Sequence, residues 1–122
     1  MTSQPDPDVF LPLKPQWFYV LLSLADDGQH GYGIMQEVLA RTEGKVRLWP
    51  ATLYGTLKRL TDAGLIEESG SRPAPDLDDA RRRYYRLTRL GRRVLKAEGR
   101  RLEELVSAIR AKRGVKTIEA ES

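Results

Sequence analysis

A mainly α-helical domain carrying a small β-hairpin is the fold class that this sequence predicts, and three observations predict it. Residues 49–69, WPATLYGTLKRLTDAGLIEES, begin as an amphipathic helix, stop at a glycine and run into a short apolar strand. Residues 81–88, RRRYYRLT, read as an arginine-loaded strand that leads into another helix. Between them, residues 69–80 carry Pro73, Pro75 and several aspartates, a polar composition that forms no regular element. At 122 residues there is room for one domain with one modest core. A hydrophobic share of 40% beside 31% charged residues excludes wholesale disorder.

The elements follow in order. Residues 1–14 hold Pro5, Pro7 and Pro12 and are expected to form a flexible N-terminal arm. A first helix opens at Pro15, tolerated in a first turn, and is ended by Asp26, Asp27 and Gly28. Its apolar residues Trp17, Phe18, Val20, Leu21, Leu22 and Leu24 cover most of its surface, so burial on more than one side is expected. Residues 32–41 form a second helix with Ile34, Val38 and Leu39 on one face, and residues 45–49 an extended connector. Pro50 opens a third helix behind Trp49, a poor N-cap. Leu53, Leu57 and Leu60 point inward, and Gly64 is the left-handed terminator. Strands are predicted at 65–68 and 82–87, the latter with Tyr85 and Leu87 in phase on one side. Thr88 caps a long last helix reaching about Lys112, with Gly114 as its stop. The sum is a winged helix-turn-helix with an appended C-terminal dimerisation helix. The expected division is an arm (1–14), a winged DNA-binding domain (15–88), a dimerisation helix (89–113) and a flexible tail (114–122).

Charge distribution says more than net charge. The formal balance is +4, from 21 basic and 17 acidic residues, and many small proteins match it. Arg81, Arg82, Arg83, Arg86, Arg89, Arg92 and Arg93, however, crowd one region, and a cluster of one sign attracts polyanions. On a helical wheel of the third helix, Ala51, Gly55, Lys58, Arg59 and Asp62 look outward, flanked by Thr52, Tyr54 and Thr56. Ala51 and Gly55 thin the face so that it approaches a groove floor. Thr52 and Thr56 hydrogen-bond bases or phosphates, Lys58 and Arg59 reach guanine edges or the phosphate wall, and Tyr54 reaches a phosphate oxygen. Arg81, Arg82 and Arg83 lie at the wing tip, where a phosphate backbone or minor groove is met. Arg86 and Arg89 are expected to be structural or solvated.

Other chemistries find little footing. Without cysteine neither a disulfide nor a thiolate metal site is possible. The lone histidine, His30, lacks ligand partners and reads as a helix-start or hydrogen-bonding residue. Gly31-Tyr32-Gly33 lacks the third glycine and preceding strand of a dinucleotide loop. Asp26-Asp27 and Asp78-Asp79 read as turn residues, and nothing resembles an activated nucleophile. No enzyme activity, cofactor or metal is therefore expected. The start MTSQPDPDVF has neither a basic nor an apolar signal region, and no run nears the ~20 apolar residues of a membrane span. A cytoplasmic location is the default expectation.

Four blocks in order carry a resemblance: QWFYVLLSL, then HGYGI at 30–34, then ATLYGTLKRLTDAGLIE, then RRYYRLTRLGRRVL. Together they resemble the PadR family of bacterial transcriptional regulators, across roughly residues 15–105. The resemblance implies a homodimer, most often a repressor, that binds an operator through the third helix and the arginine wing, its last helix packed on the other subunit. Carried over, the DNA-facing positions are Thr52, Tyr54, Lys58, Arg59 and the wing arginines. Many relatives have proline where this chain has Gly55, which is either room for closer groove approach or of little consequence. The single short final helix resembles the branch with a reduced C-terminal region. Some members respond to small aromatic or phenolic ligands near the dimer interface. Trp17, Phe18 and Tyr19 are the candidate lining for such an effector, or plain core and interface aromatics.

In the last helix Leu95, Leu102, Leu105, Val106 and Ile109 make an apolar stripe, with Leu90 and Val94 at its start and Glu98 and Gly99 as interruptions. That stripe and Trp17 are the expected homodimer interface, against the alternative of a helix folded back on its own domain. A two-fold dimer sets two reading helices about 34 Å apart and requires an inverted-repeat operator. A winged-helix protein-interaction module without DNA binding is the alternative from another class, and it requires an apolar outer face in place of Lys58, Arg59 and the arginines. A MarR- or ArsR-like regulator is the alternative within the DNA-binding class, and explains the HGYGI and TLY blocks less well.

Overall fold

The computed structural model describes residues 5–69 and 83–115. The polar loop expected at 69–80 thus lies, apart from Ser69, outside the described residues, as do Arg81 and Arg82. Helix α1 (Pro15–Ser23) opens at a proline with no side-chain cap and ends earlier than Asp26. Its Val20 and Leu21 are fully buried, as is Leu24 just beyond it. Three other helices pack on this one: α2 (Gly31–Arg41), α3 (Pro50–Asp62) and α4 (Arg89–Ala111). Leu53, Leu57 and Leu60 of α3 join Ile34 and Val38 of α2 in the same core. Gly64, at φ +81°, turns the chain out of α3 as its position after the last turn requires.

The sheet has one more strand than the sequence patterning indicates. Strands β2 (Ile66–Ser69) and β3 (Tyr84–Leu87) pair antiparallel, with Glu67 opposite Arg86 and Ile66 opposite Leu87. On the other edge of β3 lies β1 (Gln29–His30), so the order is β1-β3-β2. Two residues are too few to show an alternation in the sequence. They pair because an open strand edge leaves backbone groups that need partners. Gln29 secures the placement: its side-chain amide donates to the Ser23 carbonyl at 2.6 Å and to Glu37 at 2.7 Å, tying α1 to α2. His30 caps α2, its Nδ1 accepting the Gly33 N–H at 2.9 Å, in keeping with the helix-start role read from the sequence.

Thr88 joins the end of α3 to the last helix. Its hydroxyl donates to the Gly64 carbonyl at 2.6 Å and accepts the Gly91 N–H at 3.0 Å, while its backbone N–H donates to the Leu65 carbonyl at 3.1 Å. Gly91 then passes so close to Leu65 that a β-carbon there would overlap the Leu65 carbonyl oxygen. Because Gly91, Val94 and Glu98 are buried in the domain, a boundary at residue 88 is not a physical one. The first half of α4 belongs to the winged domain. The helix stops at Ala111, where Lys112 turns extended, ahead of Gly114.

The expected flexible arm is corrected over its described part. Residues 7–10 form a 3₁₀ turn (Pro7–Phe10) capped by Asp6, and the turn packs on α4. Leu13 is buried. What holds it is Glu98, which in the sequence only interrupts an apolar stripe. Glu98 is 2% exposed; its carboxylate accepts the Leu13 N–H at 3.1 Å and is gripped by Arg101 at 2.6 and 2.9 Å. Proline content suggests looseness, but prolines also lower the entropy lost when a segment docks.

The Arg101 hydrogen bonds draw the Glu98 carboxyl below its ordinary range, against the opposing effect of burial and with help from the Leu13 N–H. A lowered folded-state value means that this stabilisation is complete above the ordinary carboxyl pKa of 4.5 and fades as pH falls through the lower value. We expect Glu98→Ala to cost about 2 kcal/mol at neutral pH, since it orphans a buried N–H. Urea unfolding at neutral pH and at pH 3 checks this: the gap between wild type and variant should narrow in acid.

Candidate nucleic-acid interface

The solvent side of α3 carries a polar, net basic strip. Ala51, Thr52, Lys58, Arg59 and Asp62 are exposed and Gly55 half exposed, as the wheel requires. Lys58 pairs with Asp62 at 3.3 Å, both well exposed, whereas Arg59 makes no ion pair among the described residues. Exposed pairs of this kind contribute at most about 1 kcal/mol, so Lys58 is held only weakly away from another anion. Among the described residues, a β-carbon at Gly55 would meet only the Arg59 guanidinium, at 3.4 Å.

Two expected contacts change. Thr56 is 2% exposed and fully inside the core, so it reaches neither base nor phosphate. At ~100° per residue it lies about 60° from Leu53, within the apolar stripe and not beside it. Tyr54 is half buried, with its hydroxyl 2.8 Å from the position a Gly31 β-carbon would take. The HGYGI and TLY blocks are therefore one packing unit: the absent side chain of Gly31 makes room for the Tyr54 ring.

Of the wing arginines, Arg83 is described and exposed, 3.5 Å from Glu68; Arg86 pairs with its cross-strand partner Glu67 at 2.9 Å. Arg86 is thus occupied on the sheet surface, as expected. A cleft of about 450 Å³ separates α3 from the sheet, lined by Tyr54, Lys58, Asp62, Glu68, Arg83 and Tyr85 among others. It brings Lys58 of the helix and the described wing arginine, Arg83, together. Tyr85 is part of its lining, and burial first, then the Glu68 charge, lifts its phenol above the ordinary value, so it is a neutral core residue.

The expected dimer residues divide into two groups. Trp17 and Leu95 are half buried against the domain's own core, and Leu102 is partly covered. Leu105, Val106 and Ile109 are 47%, 45% and 51% exposed on the part of α4 that leaves the domain. A smaller hollow, about 230 Å³, is lined by Phe10, Pro12, Lys14 and Trp17. Phe18 is not in it; its ring meets Tyr19 edge-on at 5.8 Å and packs toward the core. Sequence reasoning missed Glu98, and it missed the exposed Arg47 and Trp49 ahead of α3. The signal for the latter was the alternation in Val46-Arg47-Leu48-Trp49.

Three core helices, a small antiparallel sheet and a helix with a free basic face define the winged helix-turn-helix class. Residues 20–97 match the model of the transcriptional regulator PadR-like family, and the chain belongs to that family. It is accordingly a transcriptional regulator and not an enzyme. The transcriptional regulator Rv3488 of Mycobacterium tuberculosis is 37% identical over 91 residues, 75% of this chain and 78% of that protein. Among solved structures, a transcriptional regulator from Clostridium thermocellum superposes with TM-score 0.63 at 25% identity, covering 76% of this chain and 87% of its own. Bacillus subtilis PadR, solved in complex with operator DNA, shares the fold at TM-score 0.59 and 23% identity, over 70% of this chain and 47% of that one. The family match disposes of the MarR- or ArsR-like alternative. Among the described residues no helix is long and apolar enough to cross a membrane.

We expect Gly31→Ala to destabilise the domain by roughly 1–3 kcal/mol, the range for overpacking. Combining it with Tyr54→Phe, which removes the nearest atom, should recover part of that loss. Thermal unfolding of the single and double variants checks the coupling, and simple additivity would argue against it.

Proposed function

We propose that this regulator binds an inverted-repeat operator as a homodimer and acts as a repressor. The observation that carries the reading is the exposed strip of Thr52, Lys58 and Arg59 on α3, with Lys58 and Arg83 lining one cleft. Apolar residues there would have favoured a protein-binding module; cations and small residues favour a duplex. Arg81 and Arg82 extend the same run in the sequence and are assigned to the wing. Tyr54 stands at the border of the strip, with its hydroxyl turned toward Gly31.

The homodimer rests on α4. Its outer part carries Leu105, Val106 and Ile109 in the open. A short helix of that kind is marginal in water unless its apolar side is covered. A second copy of the same stripe covers it, with Leu102 at the near end and Leu95 and Trp17 where the helix meets the domain. Two-fold pairing then presents two copies of α3 to successive major grooves. The family relationship and the shared fold of B. subtilis PadR, itself bound to operator DNA, support this arrangement. We assign the hollow beside Trp17 to a small-molecule effector.

Fluorescence anisotropy with duplex from the gene's own upstream region tests the DNA contact. Lys58→Ala with Arg59→Ala should leave the fold intact and weaken binding by about 1–3 kcal/mol for each base deprived of a bidentate partner. Undiminished affinity in that variant would reject the assignment. For the dimer, Leu105→Glu with Ile109→Glu should convert the sedimenting species to monomer at micromolar concentration. The same variant should lose its preference for an inverted repeat over a half-site.

A further inference from the structure

The connector ahead of α3 runs extended, and extended chain points alternate side chains to opposite sides. Leu48 faces in and is 2% exposed; Arg47 and Trp49 face out together. The Arg47 guanidinium lies over the Trp49 ring, 5.0 Å from its centroid. Trp49 is 62% exposed and belongs to no part of the core. It also occupies the N-cap of α3 without capping it. Serine, threonine, aspartate or asparagine there would stabilise the helix by about 1 kcal/mol. A residue that neither caps the helix nor packs in the core breaks two local rules at once, and such breaks concentrate at functional positions.

The neighbourhood says which function. Reading helices of this architecture enter the major groove by their N-terminal residues. Arg47 and Trp49 immediately precede that end of α3, beside the exposed Ala51 and Thr52. Arg47 makes no ion pair among the described residues, and Lys45 is exposed two positions before it. A cation stacked on a large amphipathic ring suits a phosphodiester strand, with charge for the phosphate and an apolar face for the sugar. We propose that Arg47 and Trp49 clamp the DNA backbone at the edge of the groove that α3 enters, Arg47 on a phosphate and Trp49 on the adjoining deoxyribose. This rests on the DNA-binding reading above and adds a contact segment to it.

The test uses the full chain and a labelled DNA duplex of mixed sequence, titrated by anisotropy at several salt concentrations. Arg47→Ala should lower the log–log salt slope by about 0.9, the share of one phosphate. Trp49→Ser is the discriminating variant, because it installs a helix cap. It should melt at a higher temperature than wild type and yet bind roughly tenfold more weakly, the scale of one good contact. The change in tryptophan emission that duplex causes in wild type, assigned to Trp49, should be lost in Trp49→Ser, which keeps Trp17. Wild-type binding with both variants unaffected and Trp49 emission constant would overturn this clamp and leave the DNA reading standing. No duplex binding by wild type, even at low salt, would overturn both. Weaker binding by Trp49→Ser with a lowered melting temperature would count against the clamp, since the loss would then follow from an impaired fold.

Discussion

The Thr88 joint governs the geometry of this molecule. One hydroxyl links the end of the turn after α3 to the first turn of α4, and the same residue's N–H fastens to Leu65 at the start of the sheet. Gly91 lets the two backbones approach more closely than any side chain allows. The axis of α3 is thereby locked to the axis of the helix that leaves the domain. In the proposed dimer, half-site spacing follows from that lock, since the α4 pair sets the symmetry axis and the joint sets each α3 relative to it.

A second consequence concerns the N-terminal segment. Docking of Leu13 on Glu98 packs residues 7–13 against the domain side of α4, directly before the helix exposes Leu105 and Ile109. The small hollow by Trp17 lies between that segment and α1. A ligand there would touch the segment, α1 and, in the proposed dimer, the neighbourhood of the partner helix. Arg101, itself partly exposed, keeps the buried Glu98 partnered, because a carboxylate left unpartnered inside the protein is strongly unfavourable.

Weak ion pairs dominate the candidate DNA face. Lys58–Asp62 and Arg83–Glu68 are both exposed, with pairing distances of 3.3 and 3.5 Å. Pairs of that kind exchange partners readily, and they moderate the positive potential of the free protein. Arg47 and Arg59, without carboxylate partners among the described residues, keep their charge available. The cations are thus divided between residues restrained by acids and residues already open to a polyanion.

The order of helices, the inward Leu53, Leu57 and Leu60, the cap at Thr88 and the turn at Gly64 were legible in the sequence, because each depends on local periodicity or on backbone freedom at one residue. So was most of the candidate site, since Ala51, Thr52, Lys58 and Arg59 follow from the helical repeat alone. Thr56 was misplaced because its hydroxyl reads as polar, although the helical repeat sets it within the apolar stripe that the core covers. The strand at Gln29–His30, the docking of residues 7–13 and the burial of Glu98 were decided only by tertiary structure. Each arises from a partner distant in the chain: the edge of β3, the flank of α4, the N–H of Leu13. Local patterning carries a residue's own preference, whereas these placements come from unmet hydrogen bonds and uncovered surface that exist only once the helices have met.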